Sequence, residues 1–307
     1  MQNLTISQVV EGYNIFAQTR LSPNTIRDYS TTITRFQEFL GVDMLFDDIK
    51  VDLIESFLFS HRNLSKKTIK NYHTGLSALW SWAHERKFVS EKVPQQYRPP
   101  KPDQIEIAPY SEADVKALMA YCMTSKPYQR LGQRQTKHSL PTGTRWKTTL
   151  MVLLDTGIRA SEFCNMQIRD VDLSNKSIKV FGKGRKERII PVSPRTAQVL
   201  WTYLSSQRDQ TVNSSVFITE EGFPMSRNNL LNGIKRLGER AGVHGANVHR
   251  FRHTFAITFL RNGGDVYTLQ RILGHSTLDM VKRYLSIAQV DIQAAHRLAS
   301  PVMNWRL

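Results

Sequence analysis

Four prolines fall between Pro94 and Pro102 in the stretch VPQQYRPPKPDQ, residues 93–104. Each lacks a backbone N–H and holds φ near one value, so a run this dense cannot continue an α-helix. It reads as a semi-rigid spacer. A chain of 307 residues exceeds one ordinary core at about 150 residues per domain. The break therefore predicts two bodies, residues 1–92 and 105–307, joined by a spacer at 93–104.

The first body reads as helical. Ser22 and Pro23 have the character of an N-cap and a first-turn proline. Ile26, Tyr29, Ile33, Phe36 and Leu40 follow at three-and-four spacing, and Gly41 ends the run. A second helix starts at Ser65 and carries Ile69, Tyr72, Leu76, Leu79, Trp80 and Ala83, with shorter patterns near Val9–Ala17 and Ile54–Leu58. Lys66, Lys67 and Lys70 lie at the start of the Ser65 helix, where its dipole favours negative charge. They are expected to face phosphate, a solvated turn being the plainer alternative.

The second body mixes both kinds of element. A helix is expected from about Ser111 to Tyr121. Lys126 to Lys147 contains no acidic residue and holds Arg130 and Arg134; Gly132, Pro141 and Gly143 make it a long loop. A helix follows from about Trp146 to Asp155 and stops at Gly157. In SIKVFGKGRKERIIPV, residues 177–192, Ile178 and Val180 alternate, GKG turns, and Ile190 and Val192 alternate again, which predicts a hairpin. Beyond Pro194 the pattern is helical. The fold class expected is mainly α with a small β-sheet.

Charge narrows the function. The chain carries 42 Lys and Arg against 26 Asp and Glu, a net of +16. Residues 1–100 hold 12 basic and 10 acidic side chains, so a net of +14 sits in residues 101–307. Such a field attracts polyanions, and nucleic acid is the expected partner. No basic helix sets Trp or Leu opposite a lysine face, which argues against a membrane surface. No stretch approaches the roughly 18 apolar residues of a membrane helix, and no secretory signal opens the chain. Cys122 and Cys164 have neither disulfide nor zinc spacing. A cytoplasmic, nucleoid-associated location is expected.

VHRFRHTF, residues 248–255, interleaves His249, Arg250, Arg252 and His253 with the apolar Val248, Phe251 and Phe255. Other basic or phenolic sites accompany it. TGIRASE sets Arg159 after a glycine turn, with Glu162 one turn on. GKGRKER sets Lys183 at the hairpin tip, beside Arg185 and Lys186. ILGHS sets His275 directly after Gly274, and MVKRYL sets Tyr284 nine residues later. Singly, each has an ordinary structural explanation: a solvated arginine, a basic turn, a glycine cap, a core tyrosine. Together and in this order they resemble the tyrosine recombinases, the lambda-integrase-like and Xer-like enzymes.

The resemblance spans most of the chain. It implies a helical, SAM-like core-binding domain followed by an α+β catalytic domain. It makes Arg159 and Arg252 the phosphate-binding arginines, Lys183 the hairpin lysine, His249 and His275 the pocket histidines and Tyr284 the nucleophile, with Glu162 supporting. Two features depart from the common pattern: the basic Lys126–Lys147 stretch is longer than usual, and Leu285-Ser286 replaces a small residue and a histidine.

Planar guanidinium groups suit the non-bridging oxygens of a phosphodiester under attack, and charge met only in the transition state is the largest catalytic contribution. Arg252 and His249, at i and i+3, are expected to share the face toward that phosphate. Arg250 and His253 are expected off that face, on the DNA backbone or neighbouring protein, with Arg250 counted among the DNA contacts. No carboxylate cluster of metal-ligand type accompanies the set, so no cofactor or metal is expected. The resemblance implies cleavage through a 3′-phosphotyrosine, with a homotetramer exchanging strands between two duplex sites of paired inverted half-sites. The absence of room before the first helices for an arm-binding domain favours such simple sites. Free protein is expected as monomer or dimer. Relaxation of DNA as in type IB topoisomerases, or DNA binding without catalysis, are the competing readings.

Overall fold

The computed structural model describes residues 3–103, 107–124, 142–182, 186–207 and 211–275, then 277–278, 281–282, 284–285, 296, 300 and 302. Arg130, Arg134, Lys183 and Arg185 lie outside the described residues, as does the rest of the basic stretch from 125 to 141. The chain divides into two compact units, Met1–Glu106 and Ile107–Leu307.

In the first unit α1 (Ile6–Arg20), α2 (Pro23–Leu40), α3 (Val51–Ser60) and α4 (Lys66–Glu85) surround one core. Local chemistry sets their ends. Thr5 and Gln8 form a reciprocal cap on α1, the Ser22 side chain accepts from Thr25 N–H above Pro23, and Gly41 ends α2 in the left-handed region. The helices at Val9–Ala17 and Ile54–Leu58 are longer than expected, because tertiary packing, and for α1 the Thr5–Gln8 cap, extend them beyond their apolar stripes. Aromatic rings dominate the centre: Phe46 stacks on Trp80 at 4.4 Å and Phe36 meets Phe57 edge-on at 5.1 Å.

The proline-rich stretch is not uniformly a spacer. Val93–Gln96 forms a 3-10 turn, and His73 Nε2 lies 2.6 Å from the carbonyl oxygen of the buried Pro94. A proline in the first turn lacks only an N–H that would have no partner there, so the turn can dock on the helices.

The second unit comprises α5 (Glu112–Met123), α6 (Gly143–Thr156), α7 (Ala160–Cys164), β1 (Val171–Asp172), β2 (Ser177–Phe181), β3 (Glu187–Pro191), α8 (Pro194–Ser205), α9 (Arg227–Ala241), α10 (Val248–Arg261) and α11 (Val266–Leu273). The strands form an antiparallel sheet in the order β1-β2-β3, with Ile178 opposite Ile190 and Val180 opposite Arg188. β1 was invisible to periodicity because two residues cannot show an alternation. α6 begins at Gly143 rather than near Trp146: a Cβ at Gly143 would come 3.2 Å from Met123 Cα, so this glycine serves a close approach and not a loop. Among the described residues no helix is long and apolar enough to cross a membrane.

Candidate active site

Two glycine-bounded corners and one helix start converge. The first lies between α6 and α7. Gly157 ends α6 with φ 59°, and a Cβ there would stand 2.6 Å from the Phe255 ring, so only glycine fits. That tight exit places Arg159 at the N-cap of α7. Its backbone N–H and its Nη1 both donate to the Glu162 carboxylate, at 2.9 and 2.8 Å, and its Nη2 donates to Gly274 O at 2.9 Å.

The second corner is the end of α11, where Gly274 takes the left-handed cap and delivers His275 past the helix end. His275 is pinned through its backbone: its N–H donates to Gln270 O, and Gln270 Nε2 donates to His275 O. The third is α10, capped by the Asn247 side chain. From this helix the buried Arg252 sends Nη1 to Gly157 O and Nη2 to Leu273 O, both at 2.8 Å. Arg252 Nη2 also lies 2.7 Å from His275 Nε2. Arg252 is thus fixed by carbonyls from both corners, and Arg159 by Glu162 and the carbonyl of the second.

This geometry sets the protonation states. A guanidinium can only donate, so His275 Nε2 accepts and its proton resides on Nδ1. Burial, with the Arg252 and Arg159 charges adding to it, pushes the imidazole down to about 4. His275 is neutral at pH 7, and its Nδ1 is buried with no hydrogen-bond partner among the described residues. Burial, then the Arg159 charge, lowers Arg252 to about 10, which leaves it cationic. Burial alone would raise Glu162, but the hydrogen bonds from Arg188 and Arg159 outweigh it and hold the carboxyl below its usual range.

Tyr284 closes the cluster. Its ring lies 6.2 Å from that of His275, nearly parallel at 12°, and 5.2 Å from that of His253. Tyr284 and Leu285 pack on a small core of α10 and α11 side chains that includes Ile257, Leu260, Leu269 and Leu273.

The structure therefore brings Arg159, Glu162, Arg252, His275 and Tyr284 together. His249 sits exposed in the first turn of α10, on the face it shares with Arg252. His253 belongs to that face as well, contrary to expectation, because i+4 lies as close to i as i+3 does. Of the two surroundings expected for Arg250, DNA backbone or neighbouring protein, the structure shows contacts with protein. Its guanidinium donates to Ala108 O at 2.9 Å and His244 O at 2.8 Å, approaches Asp114 at 3.4 Å and stacks 4.2 Å from the Tyr110 ring centre. These contacts tie the start of the second unit to α10. Lys186 is exposed, as are Lys66, Lys67 and Lys70; Lys66 pairs with Asp103 at 2.7 Å, the weak surface kind of ion pair.

One residue of the cluster escaped the sequence reading. Arg188 of β3 grips both Glu162 oxygens, through Nη1 at 2.9 Å and Nη2 at 2.8 Å, and donates from Nε to Ile272 O at 2.7 Å. The alternation that puts Ile190 and Val192 inward also puts Arg188 inward. An arginine on the buried face of a strand calls for a partner.

Residues 111–290 match the family model described as the phage integrase family, and residues 7–98 that of the phage integrase SAM-like domain. The chain is 28% identical over 309 residues to tyrosine recombinase XerD of Staphylococcus haemolyticus, covering 95% of this chain and 98% of the relative. It resembles in fold the Tn1549 transposon integrase in complex with a circular intermediate DNA, with a TM-score of 0.73 and 19% identity over 92% of this chain and 95% of the other. It resembles similarly a lambda integrase dimer bound to a core site, with a TM-score of 0.72 and 16% identity over 92% and 77%. With its corner-held arginines, its neutral histidine and its adjoining tyrosine, the chain belongs to the phage integrase family and is a site-specific tyrosine recombinase of the two-part, Xer-like build.

Proposed function

We propose that Tyr284 attacks a scissile phosphate held by Arg159, Arg252 and His275, and that four copies of the chain exchange strands between two paired duplex sites. The Tyr284 oxygen bonds to phosphorus and the P–O5′ bond breaks. The phenolic proton passes to water, and the departing O5′ takes a proton from Lys183. The products are a 3′-phosphotyrosine and a free 5′-hydroxyl. Because the phosphodiester energy stays in the phosphotyrosine, the reverse step reseals DNA without nucleotide hydrolysis.

The observation that carries this reading is the 2.7 Å contact of Arg252 with a neutral His275 beside the Tyr284 ring. Two carbonyls and His275 hold Arg252 through Nη1 and Nη2, so its position is set before substrate arrives. Prearranged donors of this kind cost no reorganisation as charge develops on the phosphate. The His275 Nδ1–H, which has no hydrogen-bond partner among the described residues, supplies a further donor for a non-bridging oxygen. His249, exposed on the same helix face, completes the pocket, and Lys66, Lys67, Lys70, Lys186, Arg130, Arg134 and Arg185 contact the phosphate backbone. The net charge of +14 in residues 101–307 supplies the long-range attraction. The protein works in the cytoplasm, on nucleoid DNA.

The test uses a nicked duplex bearing the site that the protein selects from a random-sequence pool. Wild type accumulates a covalent protein–DNA adduct on it. Tyr284→Phe forms none yet binds the site within about twofold, because affinity is spread over many phosphate contacts. An adduct with the Phe variant would move the nucleophile elsewhere, and relaxation of supercoiled plasmid independent of site would favour a topoisomerase.

A further inference from the structure

The recombinase reading uses Arg159, Arg252, His275 and Tyr284, and leaves Arg188 without a task. Arg188 is inward-facing on β3, its side chain only 14% exposed, and all three of its nitrogens are engaged. Two grip the Glu162 carboxylate as a fork, and the third holds the carbonyl of Ile272 near the end of α11. Gly274 lies so close that a Cβ there would come 2.9 Å from Arg188 Nη1.

Glu162 in turn holds Arg159 by backbone and side chain, and Arg159 Nη2 holds Gly274 O. The contacts close a ring: β3 to α7, α7 to the α11 corner, and that corner back to β3. Arg159 is held inside the ring and His275 follows directly after the Gly274 corner. The charge pattern fits the same arrangement. One carboxylate faces two guanidinium groups, so Glu162 has no spare negative charge to cancel that of Arg159. Without Arg188, Glu162 would pair with Arg159 alone and draw its guanidinium toward the carboxylate and away from a phosphate.

We infer that Arg188 is a positioning residue for phosphate activation: by occupying both Glu162 oxygens and the Ile272 carbonyl, it orients Arg159 and the His275 corner toward the scissile phosphate. This rests on the recombinase reading. Arg188 itself touches no reacting atom in this scheme.

The test compares single-turnover cleavage of two nicked duplexes, one with the natural scissile phosphate and one with a neutral methylphosphonate there. The neutral group has lost a non-bridging charge and needs less guanidinium alignment. Arg188→Met and Arg188→Lys are measured, the second keeping the charge without the fork, together with site affinity and melting temperature. Both variants are expected to cleave the natural substrate on the order of 100-fold more slowly, the scale of a small misplacement. Site binding should stay within about threefold of wild type, and on the methylphosphonate the deficit should shrink to about threefold. Glu162→Gln should show the same contrast between substrates, and combining it with Arg188→Met should add little, because the two act through one contact.

Equal deficits on both substrates would overturn the inference, as would wild-type rates in both variants. So would loss of folding in both, since Arg188 would then serve the fold alone. Failure of the recombinase reading is separate: wild type itself would form no adduct on either duplex.

Discussion

At the scale of the residue, the site works by denying its groups their usual freedom. Arg252 is buried among carbonyls and a neutral imidazole, so its charge is present at neutral pH and its direction is set. His275 carries a stability signature. The unfolded imidazole takes up its proton as pH falls through about 6.5, whereas the folded one resists until about 4. Its contribution is therefore whole above 6.5 and is lost as pH falls from there toward 4. Thermal melts between those limits should fall more steeply for wild type than for His275→Gln, and equal slopes would refute the assignment. Lys183 carries a chemical signature. If it protonates the departing O5′, sulfur at the 5′-bridging position removes the need for it, because a thiolate leaves without a proton. Lys183→Ala should then cleave the sulfur substrate nearly as fast as wild type while losing about 10²–10⁴-fold on oxygen. Equal losses on both would reduce Lys183 to a DNA contact.

At the scale of the element, corners do the positioning. α6 and α11 each end in a left-handed glycine, and the carbonyls near those ends capture Arg159 and Arg252. Gly157→Ala should be damaging twice over. It forces a Cβ into the left-handed region and against Phe255, at a combined cost of about 2–4 kcal/mol. It also moves the carbonyl that holds Arg252 Nη1. Denaturant midpoints should show the first effect, and single-turnover cleavage in the fraction still folded should show the second. A Gly157→Ala protein with wild-type midpoint and rate would contradict the packing at this corner.

At the scale of the whole molecule, the division of charge is as informative as the division of mass. Most of the excess lies in residues 101–307, in the part that carries the proposed catalytic set. Ile292, Ala295, Leu298 and Ala299 have the sequence spacing of one helix face, and Val302, Met303 and Trp305 follow past Pro301; this stretch lies almost wholly outside the described residues. It is proposed to bind a neighbouring protomer. Truncation after Asp291 should leave single-site binding intact and abolish the pairing of two sites, read as loss of the paired complex by native gel or mass photometry. Unchanged pairing and recombination in the truncated chain would assign the stretch to its own domain.

Several features were legible in the sequence because the chemistry behind them is local. Ser22, Pro23 and Gly41 bound α2, the alternation at 178–180 and 190–192 marks the hairpin, and Gly274 places His275 beyond a helix end. These depend on φ preferences, capping and periods of two or 3.6 residues, all of which act over a few neighbours. Tertiary structure alone decided what distant groups meet. Arg250 and Arg252 are neighbours of one type on one helix, yet the fold commits the first to Tyr110 and Asp114 and the second to the carbonyls of Gly157 and Leu273. His253 comes beside Tyr284, and Arg188 reaches Glu162 across 26 positions of chain. A side chain's hydrogen-bond capacity is written in its type, but its partners are set by which backbone ends the packed cores bring within reach.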